Sequence, residues 1–195
     1  GAPAGHTIVV GGTNGKGSTV AFIEAIGRAA GWKVGAYTSP HLLRYNERVR
    51  IDGQDVEDAA LVAAFNTVEA ARGGITLTYF EYGTLAALQL FADAGLDLAV
   101  LEVGLGGRLD AVNIIDADVS VITTVDIDHA EWLGEDREAI GAEKAGIIRG
   151  WKPVILGETD PPSSVLDRAY RLGANAIRGG SDSFSDRTGA RLDSR

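Results

Sequence analysis

Seven residues, Gly12-Thr13-Asn14-Gly15-Lys16-Gly17-Ser18, constrain this chain more than any others. An apolar run, Thr7-Ile8-Val9-Val10, precedes them, and an amphipathic stretch from Thr19 to Ala30 follows. That order spells strand, glycine loop, helix. Glycines let backbone N–H groups turn toward one point, and a helix start adds partial positive charge there. Lys16 supplies a full positive charge, and Ser18 or Thr19 offers a hydroxyl to phosphate or a metal ion. The segment reads as a cradle for the phosphates of a nucleoside triphosphate. Its spacing departs from the common G-x-x-x-x-G-K-[ST], because Gly17 separates Lys16 from Ser18. An ordinary glycine-rich βα turn is the plainer reading.

Further strand-like runs follow at Lys33–Tyr37, Leu96–Val103, Val119–Thr124 and Pro153–Leu156, after a first one at His6–Val10. Most are continuous and apolar, as strands buried on both faces are. Helical patterns separate them at Ser18–Ala30, Val56–Arg72, Tyr82–Ala94, Arg137–Ile148 and Ser163–Leu172. Gly31 and Gly95 sit where helices stop. The alternation predicts an α/β fold of the P-loop type, a mostly parallel sheet with helices on both faces. Ligands in such sheets lie beyond the carboxyl ends of the strands. The loops after Val10, Tyr37, Val103 and Thr124 are therefore the ones to inspect. Thr38–Asp52 is a long polar connection with room for a short strand at Val49–Ile51. The tail from Gly179 to Arg195 is rich in Gly, Ser, Asp and Arg, and is expected to be disordered or an incomplete element.

The 195 residues carry a formal charge of −9 and no cysteine. Disulfides and thiolate metal sites are excluded, so a metal would need oxygen or imidazole ligands. The acidic balance argues against nucleic acid as a partner. No segment resembles a signal peptide, and no apolar run is long enough to span a membrane, so a cytoplasmic protein without membrane partners is expected. Arg44, Arg48 and Arg50 lie together. They read either as a local patch for a small anion or as an exposed strand edge. The chain has no methionine and opens close to a core strand, as an excised piece of a longer protein would.

Chemistry-bearing residues cluster on the loops named above. Glu102 ends an apolar strand, where P-loop enzymes place a carboxylate for Mg²⁺; a structural acid is the alternative. Gly104-Leu105-Gly106-Gly107-Arg108-Leu109-Asp110-Ala111 permits close approach of a ligand or another backbone, or is a flexible turn. His129 follows the strand at 119–124 and is a candidate metal or phosphate contact, with Asp128 beside it. Ser39 opens the long polar loop and offers a hydroxyl to a metal, unless Thr38-Ser39-Pro40 is only turn punctuation. Thr78-Tyr79-Phe80-Glu81 offers an aromatic wall, or a core phenylalanine and a favourable helix start. Lys144, taken alone, reads as a solvated helix lysine.

Together TNGKGS, TSPHL, YFEYGT, LEVGLGGRLDAVN, DHAEWLG and EKAGI resemble the folylpolyglutamate synthase/dihydrofolate synthase family of the wider Mur ligase superfamily. The resemblance runs from about residue 6 to residue 178 and leaves the tail out. It implies a P-loop ATP-binding domain like the central domain of Mur ligases over 1–178. It also implies a separate glutamate-ligase domain to which nothing here corresponds. Thr13, Asn14, Gly15, Lys16, Gly17 and Ser18 would bind ATP. Ser39, Glu102 and His129 would hold Mg²⁺. Lys144 would carry a CO₂-derived carbamate able to hold a second Mg²⁺. Thr78, Tyr79, Phe80, Glu81, Leu109, Asp110 and Ala111 would line the pterin-bearing substrate site, with Arg48 near it. Lys16, Lys144 and His129 would act in catalysis. The implied reaction is ATP-dependent addition of L-glutamate to dihydropteroate or folates by a monomeric ligase, with this chain alone inactive or nearly so. Another P-loop synthetase or kinase, or a non-catalytic nucleotide-binding module, are the rival readings.

Overall fold

The computed structural model describes residues 2–127 and 136–179, and the backbone of 184–185 and 191–192. Eight strands form one sheet: β1 (Ala4–Gly11), β2 (Val34–Tyr37), β3 (Val49–Ile51), β4 (Gln54–Asp55), β5 (Leu96–Glu102), β6 (Val119–Ile122), β7 (Pro153–Leu156) and β8 (Asn175–Arg178). Their order across the sheet is β4-β3-β2-β5-β1-β6-β7-β8. From β2 to β8 all neighbours are parallel, whereas β3 pairs antiparallel with β2 and β4. β1 enters between β5 and β6, so the chain leaves it in one direction for β2 and later resumes on its other side at β6. That switch point is where an α/β sheet opens a crevice beyond its carboxyl edge.

Both faces are covered. α1 (Lys16–Ala29) packs Val20 onto Val10, Val34, Leu98, Val100 and Val121 on one face. The other face buries Val9, Leu101, Val103 and Ile122 beneath α3 (Tyr79–Ala94), α4 (Arg137–Lys144) and α5 (Ser163–Arg171). α2 (Asp58–Ala71) packs on the outer side of α3 through Ala64, Val68 and Ala86. Adjacent residues Val9 and Val10 thus enter different cores, which is why the strand reads as an unbroken apolar run.

The sequence places the strands well, and departs from the structure where local chemistry decides a boundary. α1 starts at Lys16, two residues before the expected Ser18, because Gly15 takes a left-handed conformation (φ 82°) and turns the chain directly into the helix. α3 starts at Tyr79 and not at Tyr82. The Thr78 hydroxyl accepts from the Glu81 amide while the Glu81 carboxylate accepts from the Thr78 amide, a reciprocal cap. The helix expected over 137–148 is α-helical only to Lys144, and Ala145–Ile147 tightens into a 3₁₀ turn. β8 carries too little apolar periodicity to be seen in the sequence. Within the tail, β9 (Phe184–Ser185) pairs antiparallel with β10 (Arg191–Leu192). Among the described residues no helix is long and apolar enough to cross a membrane.

Candidate functional site

The register of the central strands assembles the site. Val10 on β1 pairs with Glu102 on β5, and Gly11 with Ile122 on β6. The phosphate-loop segment therefore leaves β1 between a carboxylate on one side and Thr123-Thr124 on the other. β6's extension anchors the loop: the Thr13 amide donates to Thr124 O at 2.8 Å, the Asn14 amide to Thr124 Oγ1 at 3.0 Å, and Thr123 Oγ1 to Asn14 O at 2.6 Å. The Thr13 hydroxyl exchanges hydrogen bonds with the backbone of Asp126, both at 3.0 Å. Thr13 in this structure fastens the loop to the strand. Gly12 has φ 144°, and a Cβ there would lie 1.9 Å from Thr123 Oγ1, so only glycine lets the loop pass that close.

The amides of Lys16, Gly17 and Ser18 fall in the first turn of α1, where no intrahelical acceptor exists. They and the helix dipole make this the anion-attracting end. Lys16 Nζ folds back to Gly12 O and Thr13 O at 3.0 and 3.2 Å, holding its ammonium over the loop. Of the two candidate hydroxyls, Thr19's donates to Gly15 O at 2.8 Å, whereas Ser18 is exposed.

Glu102 faces this helix end. Only 4% of it is exposed, and a Cβ on Gly17 would sit 3.9 Å from each of its carboxylate oxygens. Gly17 is helical, with no left-handed strain. A side chain there would come into ordinary van der Waals contact with the carboxylate and narrow the space in front of it. The Ser39 amide donates to Glu102 Oε2 at 3.0 Å, so the two expected metal ligands are neighbours. Burial raises the Glu102 pKa above its ordinary value, against the Ser39 amide and the charges of Lys16 and Arg50, which lower it. A buried carboxylate under that tension is suited to a cation: the ion would replace the lost hydration and keep the group ionised. Among the described residues no cluster of three or more His, Asp or Glu is arranged to hold a metal. The expected set combines one carboxylate and one hydroxyl with His129, which, like Asp128, lies outside the described residues.

Beside this centre a cavity of about 790 Å³ is lined by Thr78, Phe80 and Glu81 from the start of α3, and by Leu109, Asp110 and Ala111 from the glycine-rich loop after β5. Six of the seven expected substrate-site residues thus line one cavity. Tyr79 does not: it is 65% exposed and packs edge-on against Tyr45, with the Arg48 guanidinium 5.6 Å from its ring centroid. Asp110 holds the loop itself, its carboxylate accepting from the amides of Gly104, Leu105 and Val112, each at 3.0 Å. Burial raises its pKa against those three amides.

Lys144 is 4% exposed, which overturns the solvated reading. The glycine-rich loop brings the rest of its surroundings together. A Cβ on Gly107 would meet Glu143 O at 2.7 Å and Lys144 O at 3.0 Å, and the Arg108 amide donates to Glu143 O at 2.9 Å. Arg108 also pairs with the Glu143 carboxylate at 2.9 Å. LGGRLDA and EKAGI are therefore two sides of one close contact.

The arginine patch does not exist as a patch. Arg50 pairs with buried Glu24 at 2.8 Å, and Arg44 with Asp58 at 2.9 Å. Arg48 is 8% exposed, its Nε donating to His41 Nδ1 at 2.8 Å and its guanidinium lying over the Tyr45 ring. Arg48 closes a 3₁₀ turn and Arg50 lies on β3, and each guanidinium finds a different partner. Glu24, a helix residue with no motif around it, was invisible as part of this region.

Residues 10–193 match the family described as Mur ligase middle domain. The chain belongs to that family. The match extends past residue 178, where the motif resemblance ends. The chain is 58% identical over 178 residues to the dihydrofolate synthase/folylpolyglutamate synthase of Escherichia coli strain K12, covering 91% of this chain and 42% of that protein. Its fold superposes on E. coli FolC in complex with DHPP and ADP with a TM-score of 0.93 and 54% identity, covering 98% of this chain and 48% of that one. A bifunctional folylpolyglutamate synthase/dihydrofolate synthase with Mn, AMPPNP and L-glutamate bound gives a TM-score of 0.92 at 53% identity, over 98% of this chain and 49% of that one. The chain spans about half the length of these relatives.

The geometry at Glu102 and the loop sets the outcome of three substitutions. Gly12→Ala should cost about 1–3 kcal/mol of stability through its clash with Thr123 and its backbone angle, read by urea denaturation. Gly17→Ala should leave the midpoint unchanged or raised and weaken Mg-nucleotide binding several-fold in a titration. A neutral Glu102 favours the fold fully below its ordinary pKa of 4.5, and this contribution is lost as pH rises through the raised value. Glu102→Gln, which keeps an acceptor for the Ser39 amide, should therefore melt above the wild type at neutral pH without divalent cation. The difference should vanish near pH 4. Equal melting temperatures at both pH values would contradict the burial argument.

Proposed function

We propose that this chain is the nucleotide-binding part of an ATP-dependent ligase that joins L-glutamate to dihydropteroate, to folates or to both through an acyl phosphate. The observation that carries this reading is the meeting, at one sheet edge, of the 12–18 loop, the Ser39–Glu102 pair and the cavity beside them. Bound ADP, DHPP, AMPPNP, Mn and L-glutamate in the similar enzymes support it.

In this proposal the substrate carboxylate attacks the γ-phosphorus of ATP, ADP leaves, and the amine of glutamate displaces phosphate from the acyl phosphate to form an amide. The chemical difficulty is that two anions must meet. Lys16 and the first-turn amides of α1 would hold the triphosphate. Ser39 and Glu102, joined by His129 as the family resemblance implies, would hold Mg²⁺. That ion, when bound, would screen the phosphate charge. Phe80 and Leu109 would offer apolar surface to the pterin-bearing substrate, while Thr78 and Glu81 cap α3 and Asp110 shapes the opposite loop.

Lys144 in this reading carries a carbamate. A lysine takes up CO₂ only when it is neutral, and Lys144 is buried beside the glycine-rich loop. The resulting anion would suit a second Mg²⁺. A kinase reading retains the same loop, but leaves the close packing of LGGRLDA on EKAGI without a purpose.

With the whole enzyme, ATP and dihydropteroate, sustained phosphate release should require glutamate; a kinase would turn over without it, and that result would remove the ligase reading. The isolated 195 residues should bind Mg-nucleotide without dihydropteroate-dependent turnover. Supplied with ¹³C-bicarbonate, they should show a carbamate resonance by NMR that Lys144→Arg abolishes. Persistence of that resonance in the variant would assign it elsewhere.

A further inference from the structure

Arg50 lies on β3, away from the phosphate loop in sequence, yet its guanidinium is the junction of three segments around the site. Nε and Nη2 donate to the Glu24 carboxylate of α1, at 3.1 and 2.8 Å to Oε2. Nη1 donates to Thr38 Oγ1 and to Glu47 O, both at 3.2 Å. Thr38 is the residue before Ser39, and its amide is in turn held by Arg48 O at 2.9 Å. Glu47 fastens the far side of the same loop, its carboxylate accepting from the amides of Leu42, Leu43 and Arg44 at 2.6–2.8 Å. Glu24 is 6% exposed on the helix whose first turn forms the phosphate loop. A buried acid there is costly without a partner.

We infer that Arg50 and Glu24 form a positioning clamp that fixes the Ser39 loop against the phosphate-loop helix, and so sets how well a divalent cation is held together with nucleotide. This rests on the nucleotide and metal reading above. A planar fork with five donors can reach acceptors on three segments at once; a lysine at the same place can reach one of them. The clamp holds Ser39 from behind while the Ser39 amide meets Glu102 in front. Arg50 touches no substrate in this arrangement and acts through Thr38, Glu47 and Glu24. Its charge also helps keep Glu102 ionised, as Lys16 does.

The test compares the wild-type 195-residue chain with Arg50→Lys and Glu24→Gln, titrating ATP in EDTA and then Mg²⁺ at fixed ATP. Hydrogen exchange across residues 38–46 is followed in parallel without ligand. In Arg50→Lys the Mg²⁺ midpoint should rise roughly tenfold, the scale of one lost charge-assisted hydrogen bond. Affinity for ATP in EDTA should stay within about twofold, since the loop amides and Lys16 are untouched. Exchange at 38–46 should accelerate. Glu24→Gln, which keeps one acceptor, should shift both readouts in the same direction by less. If Arg50→Lys does not fold, Glu24→Gln carries the comparison. An unchanged Mg²⁺ midpoint, or equal losses with and without Mg²⁺, would overturn the clamp. If the wild type binds ATP with no dependence on Mg²⁺, the metal reading itself fails; exchange at 38–46 then judges the clamp alone, and unchanged rates would overturn it.

Discussion

A carboxylate buried opposite the positive end of a helix is the constraint around which this chain is arranged. Glu102 is brought there by the pairing of β5 with β1, which sets it beside Val10 at the point where the 12–18 loop departs. Burial alone would drive it toward its neutral form. The surrounding structure opposes that with the Ser39 amide, the Lys16 ammonium and the Arg50 guanidinium. Each of these comes from a different element, so the three cannot be assembled without the complete sheet order on this side of β1. The fold delivers a site in which negative charge is tolerated but incompletely neutralised, which is the condition a divalent cation answers.

The glycines of the site act mainly as points of close approach. Gly12 admits the Thr123 side chain, and Gly107 lets the loop after β5 touch the backbone of Glu143 and Lys144. Each would be read from sequence as a turn residue. In the structure each marks a surface where two motifs distant in sequence meet, and these contacts bind the phosphate loop, the carboxylate strand and the lysine helix into one rigid unit.

Much of this was legible beforehand because the signals are local. The apolar runs of β1, β5 and β6 and the glycine loop gave the fold class, and their order gave the edge on which function would lie. Ser39 and Glu102 were named from chemistry and resemblance, and the structure sets them in contact. What could not be read is what depends on partners far apart in the chain. Arg44, Arg48 and Arg50 looked like one patch because sequence shows adjacency and not pairing; their partners are Asp58, the His41–Tyr45 cluster and Glu24. Thr13 and Asp110 bear polar groups that sequence offers to ligands, yet both serve the loops they sit in. The burial of Lys144 is likewise a tertiary fact, on a helix that meets a loop from 35 residues upstream, as the Arg108–Glu143 contact shows.

The most direct measurement is a crystal structure of this chain with Mg²⁺ and a nonhydrolysable ATP analogue. The account predicts an octahedral ion with Ser39 Oγ at about 2.1 Å and Glu102 reached directly or through one of the ion's waters, with the triphosphate on the first-turn amides of α1. An ion held by the phosphates alone, with Glu102 still turned to the Ser39 amide and no closer than a second hydration layer, would contradict it.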